Sequence, residues 1–297
     1  MAAVVFSDEA WARIEPLLPS SEGLRGGRFR DHRLVLEAIA WRFRTGSPWR
    51  DLPERFGPWQ TVWKRHDRFS ADGTYVRLLQ AVQADADAAG DLDWVVSADS
   101  TIARAHQHSA GARPRRPVRS GGARSNYKDL RLEPVDHAIG RSRGGLTSKV
   151  HLACDGRGRP LAMLLSSGNT NDTQLLGPLL AQIRVPRQGP GRPRTRPTRL
   201  LADKGYSSRT NRRMLSGRGI AVTIPEREDQ KHHRTARGSA GGRPYSFDNS
   251  AYRDRNVVER CFAQLKQWRG IASRFDKLAT NYLGGVVLAS LALWLRT

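Results

Sequence analysis

Cysteine is nearly missing: the 297 residues hold two, Cys154 and Cys261. They share no CxxC spacing, so neither a disulfide framework nor a zinc knuckle is supported. No window approaches about 18 consecutive apolar residues, which excludes a transmembrane helix. The opening stretch MAAVVFSDEAWARIEPLLP is too short and too acidic for a secretory signal. Acids are scarce too: 28 Asp and Glu stand against 50 Lys and Arg, a formal charge of +22. Coding bias in a GC-rich genome explains arginine in place of lysine, but not the shortage of acids. Such an excess disfavours an acidic small molecule as the main partner and favours a polyanion. Hydrophobic residues make up 38%, enough for a core. The length suits two domains, or one large domain with an accessory. The expectation is a cytoplasmic, basic protein with no membrane association.

Residues 8 to 70 read as helical. DEAWARIEPLL spaces Trp11, Ile14, Leu17 and Leu18 on one helical face, with Ser7 as N-cap and Pro19 as stop. DHRLVLEAIAWRFRT places Leu34, Ile39, Trp41 and Phe43 in a second helix ending before Gly46. PWQTVWKRHDRF then turns Trp59, Val62, Trp63 and Phe69 inward and projects Lys64, Arg65 and Arg68 outward. A helix, a tight Gly/Pro connection and a basic helix outline a helix-turn-helix DNA reader. By itself this outline also fits a plain helical bundle with a solvated basic face.

From residue 94 the period changes. WVVSAD, SKVHLACD, PLAMLLSS, TRLLAD and IAVTIP read as strands, the second and third joined at the GRGR turn. NDTQLLGPLLAQI, capped by Asn171 or Asp172, SRTNRRMLSGRG and the segment from Tyr252 onward read as helices, and LGGVVLASLALWL closes the chain as a buried one. This is a mixed α/β pattern. Arg-, Gly-, Pro- and Ser-rich stretches at about 104–146, 186–198 and 226–247 read as surface loops.

Three acids resist ordinary roles. Asp99 ends WVVSAD and Asp203 ends TRLLAD; carboxylates leaving neighbouring strands at one edge converge on a crevice. At about 100° per residue, Tyr252, Arg255, Asn256 and Lys266 all fall within roughly 60° of Glu259. Val258, Phe262 and Leu265, continued by Cys261 and Trp268, form a separate apolar stripe. An exposed pair between Arg255 and Glu259 would account for two of these residues and not for the line of five. Three convergent carboxylates in a basic protein suit two hard divalent cations, which take oxygen ligands and act on phosphodiesters.

The spacing Tyr252, two residues, Arg255, three residues, Glu259, six residues, Lys266 resembles the signature of the DDE transposases of bacterial insertion sequences, most closely the IS five family. DKGY around Asp203, ADST around Asp99 and the leader TGSPWRDLPERFGPWQTVWKRHDRF extend the resemblance over nearly the whole chain. It implies an α/β, ribonuclease-H-like catalytic domain over 91–297, a mixed sheet flanked by helices. Residues 1–90 would form an all-α, helix-turn-helix-like DNA-binding domain. Asp99, Asp203 and Glu259 would be catalytic ligands of two Mg²⁺ ions, with Mn²⁺ as substitute. Tyr252, Arg255, Asn256 and Lys266 would contact DNA, as would Lys64, Arg65 and Arg68 in the leader. The implied enzyme binds the inverted-repeat ends of its element, cleaves DNA and transfers strands, as a homodimer on double-stranded DNA at the bacterial nucleoid. The rival expectations are a non-catalytic DNA-binding regulator derived from such an enzyme, and a ribonuclease-H-like nuclease that cuts without joining.

Overall fold

A computed structural model describes residues 5–20, 29–112 and 132–296. Helix α1 (Asp8–Ile14) is capped by Ser7, whose Oγ accepts from the Ala10 N–H at 3.2 Å, and it tightens into a 3-10 turn before reaching Pro19. Helix α2 (His32–Thr45) buries Val35, Leu36, Ile39 and Phe43 and stops at Gly46, where φ is +73°. Glycine adopts that left-handed cap without a Cβ clash. Helices α3 (Trp59–Ala71) and α4 (Thr74–Ala88) complete the leader.

One leader expectation fails. Arg65 is buried rather than projecting outward. Its guanidinium lies 4.0 Å over Phe29 and 5.4 Å over Phe69, and donates to His32 Nδ1 at 2.9 Å. Two aromatic faces and an imidazole give a cation an interior seat. Lys64 remains exposed and Arg68 half-buried.

The sheet begins with β1 (Val95–Ala105), followed by α5 (Gln107–Ala110), β2 (Gly140–Ser142), β3 (Gly145–Cys154) and β4 (Pro160–Ser167). Next come α6 (Leu176–Ala181), β5 (Arg199–Ala202), α7 (Arg209–Gly217), β6 (Ala221–Thr223) and α8 (Glu228–Ala236). The chain closes with α9 (Asn249–Arg253), α10 (Asn256–Lys266), α11 (Arg269–Ala272), β7 (Ser273–Arg274) and α12 (Ala279–Trp294). The main strands lie in the order β4-β3-β1-β5-β6. β3 is antiparallel to both β1 and β4, whereas β1, β5 and β6 run parallel. This is the ribonuclease-H-like mixed sheet, flanked by helices. Side chains alternate across it: Met163, the register partner of Leu152, meets α12, where Ser290 Oγ donates to Met163 Sδ at 3.6 Å. Asp99, the register partner of Leu152, shares that face; Ser100 and its partner His151 take the other.

Several sequence expectations are redrawn. Asp99 sits mid-strand, because pairing with β3 continues to Arg104. The polar stretch 226–247 contains α8, joined to Ser207 through Gln230. The segment from Tyr252 is two helices broken at Asp254 and Arg255, not one. Of the 104–146 stretch, 113–131 lie outside the described residues, but both flanks are tied to one place. His106 N–H and Ser109 Oγ donate to Arg274 O at 2.9 and 2.8 Å. The Glu133 carboxylate caps α12, accepting from Ala279 and Thr280 N–H at 2.6 and 2.9 Å.

Leader and sheet share one hydrophobic core, from Phe6 to Trp294. Helix α12 is buried almost all round and packs on α2, α3, α4 and β4. Gly285 admits the Phe43 ring so closely that a Cβ there would lie 2.1 Å from it.

Candidate active site

Register brings the first two acids together. Ala98 pairs with Ala202 between parallel neighbours, so Asp99 and Asp203 follow side by side on β1 and just past β5. Asp203 caps a 3-10 turn at Lys204–Tyr206, its Oδ1 accepting from the Gly205 N–H at 2.8 Å. Gly205 lies so near that an added Cβ would stand 2.9 Å from that oxygen. Asp99 Oδ1 accepts from the Ser100 N–H at 2.8 Å.

The third acid arrives from α10, held against β1 and β3 by buried Val258, Cys261, Phe262 and Leu265, the apolar stripe read from the sequence. Arg255, at the helix N-cap, reaches both ways. Its Nη1 donates to Asp99 Oδ2 at 3.1 Å and its Nη2 to Glu259 Oε1 at 2.5 Å. The Tyr252 ring lies 5.6 Å from the same guanidinium. Burial pushes the Asp99 carboxyl above the usual carboxylate range; the Ser100 N–H and Arg255 oppose this, and the Asp203 charge adds to it. Asn256, Glu259 and Lys266 are exposed, around the rim.

Arg255 thus joins Asp99 to Glu259 and lies against Tyr252, with Asp203 beside Asp99 just past the neighbouring strand, while Lys64 and Arg68 belong to the leader. Among the described residues no three His, Cys, Asp or Glu side chains close to metal-holding distance, since Arg255 stands between Asp99 and Glu259. The donors are nonetheless right in kind for a hard divalent cation: carboxylate oxygens, one of them on a desolvated Asp99 that cationic charge would relieve.

The sequence shows Asp172 only as a cap and Tyr206 only as part of DKGY, and it gives His151 no role. The Tyr206 phenol is buried, its ionisation pushed far up by burial and by the nearby Asp172, Asp99 and Asp203. Its hydroxyl faces Ser100 without meeting hydrogen-bond geometry. His151 is fully buried, with Nε2 2.8 Å from Ser166 Oγ and Nδ1 4.0 Å from Asp172 Oδ1. The one signal for this cluster was Lys149 and His151 on the same alternate face of a strand.

Comparison with known proteins gives the family. A family model described as "Transposase DDE domain" matches residues 90–294, and one described as "Putative transposase of IS4/5 family" matches 6–79. Domains of the first kind depend on divalent metal. The chain is 43% identical over 107 residues to "Uncharacterized protein y4sN" of Sinorhizobium fredii, covering 36% of this chain and 81% of that one. It is 38% identical over 139 residues to "Putative transposase for insertion sequence element IS402" of Burkholderia cepacia, covering 47% of this chain and 57% of the relative's length. A solved structure titled "Crystal structure of the Mos1 Strand Transfer Complex" overlaps 86% of this chain and 80% of its own at 12% identity, with a TM-score of 0.26, too loose a superposition to argue from. Because the DDE-domain match runs over well more than half of the residues, and takes in the strands and helix that carry all three acids, the chain belongs to the DDE transposases, with the leader of the IS4/5 group.

Proposed function

We propose that this transposase binds the inverted-repeat ends of its element and cuts and joins DNA at one site built from Asp99, Asp203 and Glu259. The observation that carries the proposal is Arg255, which links the strand acid Asp99 to the helix acid Glu259 through one guanidinium. Asp99, Asp203 and Glu259 are the groups that would hold two Mg²⁺ ions, with Mn²⁺ able to substitute. When bound, such ions supply Lewis acidity to the attacking water or 3′-hydroxyl and to the leaving oxygen.

The chain's own groups do the rest. Gly205 and Ser100 N–H groups aim the Asp203 and Asp99 carboxylates. Arg255 and Lys266 bind backbone phosphate, and a phosphate competes with Glu259 and Asp99 for the Arg255 guanidinium. Tyr252 and Asn256 position the strand beside them. In the leader, within a DNA-binding portion of about residues 1–90, Lys64 and Arg68 contact phosphate, and Arg65 instead holds α3 in shape. Residues 91–297 form the catalytic portion. The working species is a homodimer on double-stranded DNA, in the cytoplasm at the nucleoid, since two ends are cut together.

The test is purified protein with a labelled end-containing duplex, in Mg²⁺ against EDTA. Asp99→Asn, Asp203→Asn and Glu259→Gln should each lower cleavage by at least about 10³-fold, on the order of losing a principal electrostatic contact to the transition state, while end binding persists. Near-normal cleavage by any one removes that residue from the site. Pre-cut ends carrying a 3′-OH separate the transposase from a nuclease: joining to target DNA supports the first, hydrolysis alone the second.

A further inference from the structure

Gly205 is held from both sides. Its N–H donates to Asp203 Oδ1 at 2.8 Å, while its carbonyl accepts from Thr173 Oγ1 at 2.5 Å. Thr173 belongs to a short strap, residues 170–173, that follows β4 and runs into the 3-10 turn (Asp172–Leu175) leading to α6. Lys149 on β3 fixes one end of that strap, its Nζ donating to Thr170 O at 2.8 Å and Asp172 Oδ1 at 2.9 Å. Asn211 on α7, itself buried, ties the other end to the acid loop: its Nδ2 donates to Thr173 O at 3.0 Å and to Tyr206 O at 3.1 Å. The strap meets the sheet on the face of His151 and Ser100, opposite Arg255 and Glu259.

We infer that Thr173 is a positioning residue for Asp203, a role resting on the assignment of Asp203 to the catalytic site. The reasoning is geometric. Asp203 lies just past the last paired residue of β5, so the sheet no longer holds its backbone; two peptide units flanking a glycine, the most pliable residue, must do so instead. One is fixed by the Asp203 carboxylate itself. Without the Thr173 hydroxyl the other keeps only the turn bond from Tyr206 N–H to Asp203 O at 3.1 Å, and the Gly205 N–H that aims Oδ1 is freer to swing with it. Asp172 holds the strap through Lys149 and is one of the three carboxylates around the Tyr206 phenol, with Asp99 and Asp203. Placement of supporting groups to within about 0.5 Å is what separates a working constellation from a loose one.

The experiment compares Thr173→Val, which deletes the hydroxyl at nearly constant shape, with Thr173→Ser, which keeps it. Asp203→Asn is the control, and all are full-length protein. Three quantities are read: thermal stability, Mn²⁺ affinity without DNA by paramagnetic titration, and kcat and KM separately on an end-containing duplex. Thr173→Val should lower kcat about tenfold or more at unchanged KM for DNA, and weaken Mn²⁺ binding severalfold; Thr173→Ser should recover both. Wild-type kcat and Mn²⁺ affinity in Thr173→Val, alongside an inactive Asp203→Asn, overturn the inference and leave the active-site assignment standing. A Thr173→Val defect that is confined to stability, or that Thr173→Ser does not recover, also overturns it. Activity and Mn²⁺ binding retained in Asp203→Asn overturn the assignment itself.

Discussion

At the scale of single residues, the glycine in DKGY has a steric reason that composition alone hides. A methyl at Gly205 would stand 2.9 Å from Asp203 Oδ1, with no backbone strain to add to the insult. Gly205→Ala should therefore displace the carboxylate rather than unfold the loop. Cleavage is expected to fall about 10–100-fold, the usual penalty for a misplacement of around 1 Å, with the melting temperature close to wild type. A variant cleaving at the normal rate contradicts the contact. Two histidines make a separate point about pH. Burial is the main cause that takes His66 and His151 down to about 4, each imidazole lying in a fully enclosed place. Between their unfolded value near 6.5 and about 4, the unfolded chain takes up protons that the folded chain refuses. Folding stability is thus present above pH 6.5 and drains away on acidification, by up to about 3 kcal/mol per histidine. Melting temperatures should change little from pH 7.5 to about 6.5 and then decline down to 4.5; a flat or rising profile in that lower window would mean that these rings are protonated in the fold.

At the scale of elements, what the sequence revealed was local and what it concealed was pairing. The Gly46 stop, the Ser7 cap and the apolar stripe from Val258 to Trp268 came through because each depends on neighbours a few positions away. The apolar run ends at Asp99, yet the strand goes on through STIARA, because β3, some fifty residues on, pairs with it and β7 joins at Arg104 and Ala105. A helical wheel already sets Arg65 beside Phe69, four residues on, but it cannot foresee Phe29, which comes from outside α3 and lies 4.0 Å from the guanidinium. The same long reach holds Arg42 of α2 to Asp276, just before α12. The pair is buried at 2.9 Å, with the guanidinium stacked on Phe43 and Trp49. Removing one partner of such a pair strands the other charge. Asp276→Ala should cost about 3–5 kcal/mol, whereas Arg42→Met with Asp276→Leu should recover most of it. Urea denaturation of the two singles and the double decides: losses that simply add would show that the residues do not act on each other.

At the scale of the whole molecule, the leader and the catalytic sheet differ in chemistry but not in core. Helix α12 is the joint: its last turn donates from Trp294 Nε1 to Pro160 O at 2.7 Å on β4, while its glycine face takes Phe43 and Ser70 from α2 and α3. His66 of α3 likewise contacts Asn281 O through Nε2 at 3.0 Å. Divided roles therefore need not mean divided folding, since the apolar surface of α12 that faces the leader has no other cover among the described residues. A large uncovered apolar face on an isolated piece favours a loosened state that binds hydrophobic dye and loses fixed aromatic environments. Residues 91–297 expressed alone should accordingly keep far-UV helical signal, bind ANS strongly and show little near-UV circular dichroism. The full chain under the same conditions should do neither of the last two. A sharp cooperative unfolding transition and native-like near-UV signal from 91–297 alone would show that the sheet closes its own core, and that α12 docks on the leader as one domain on another.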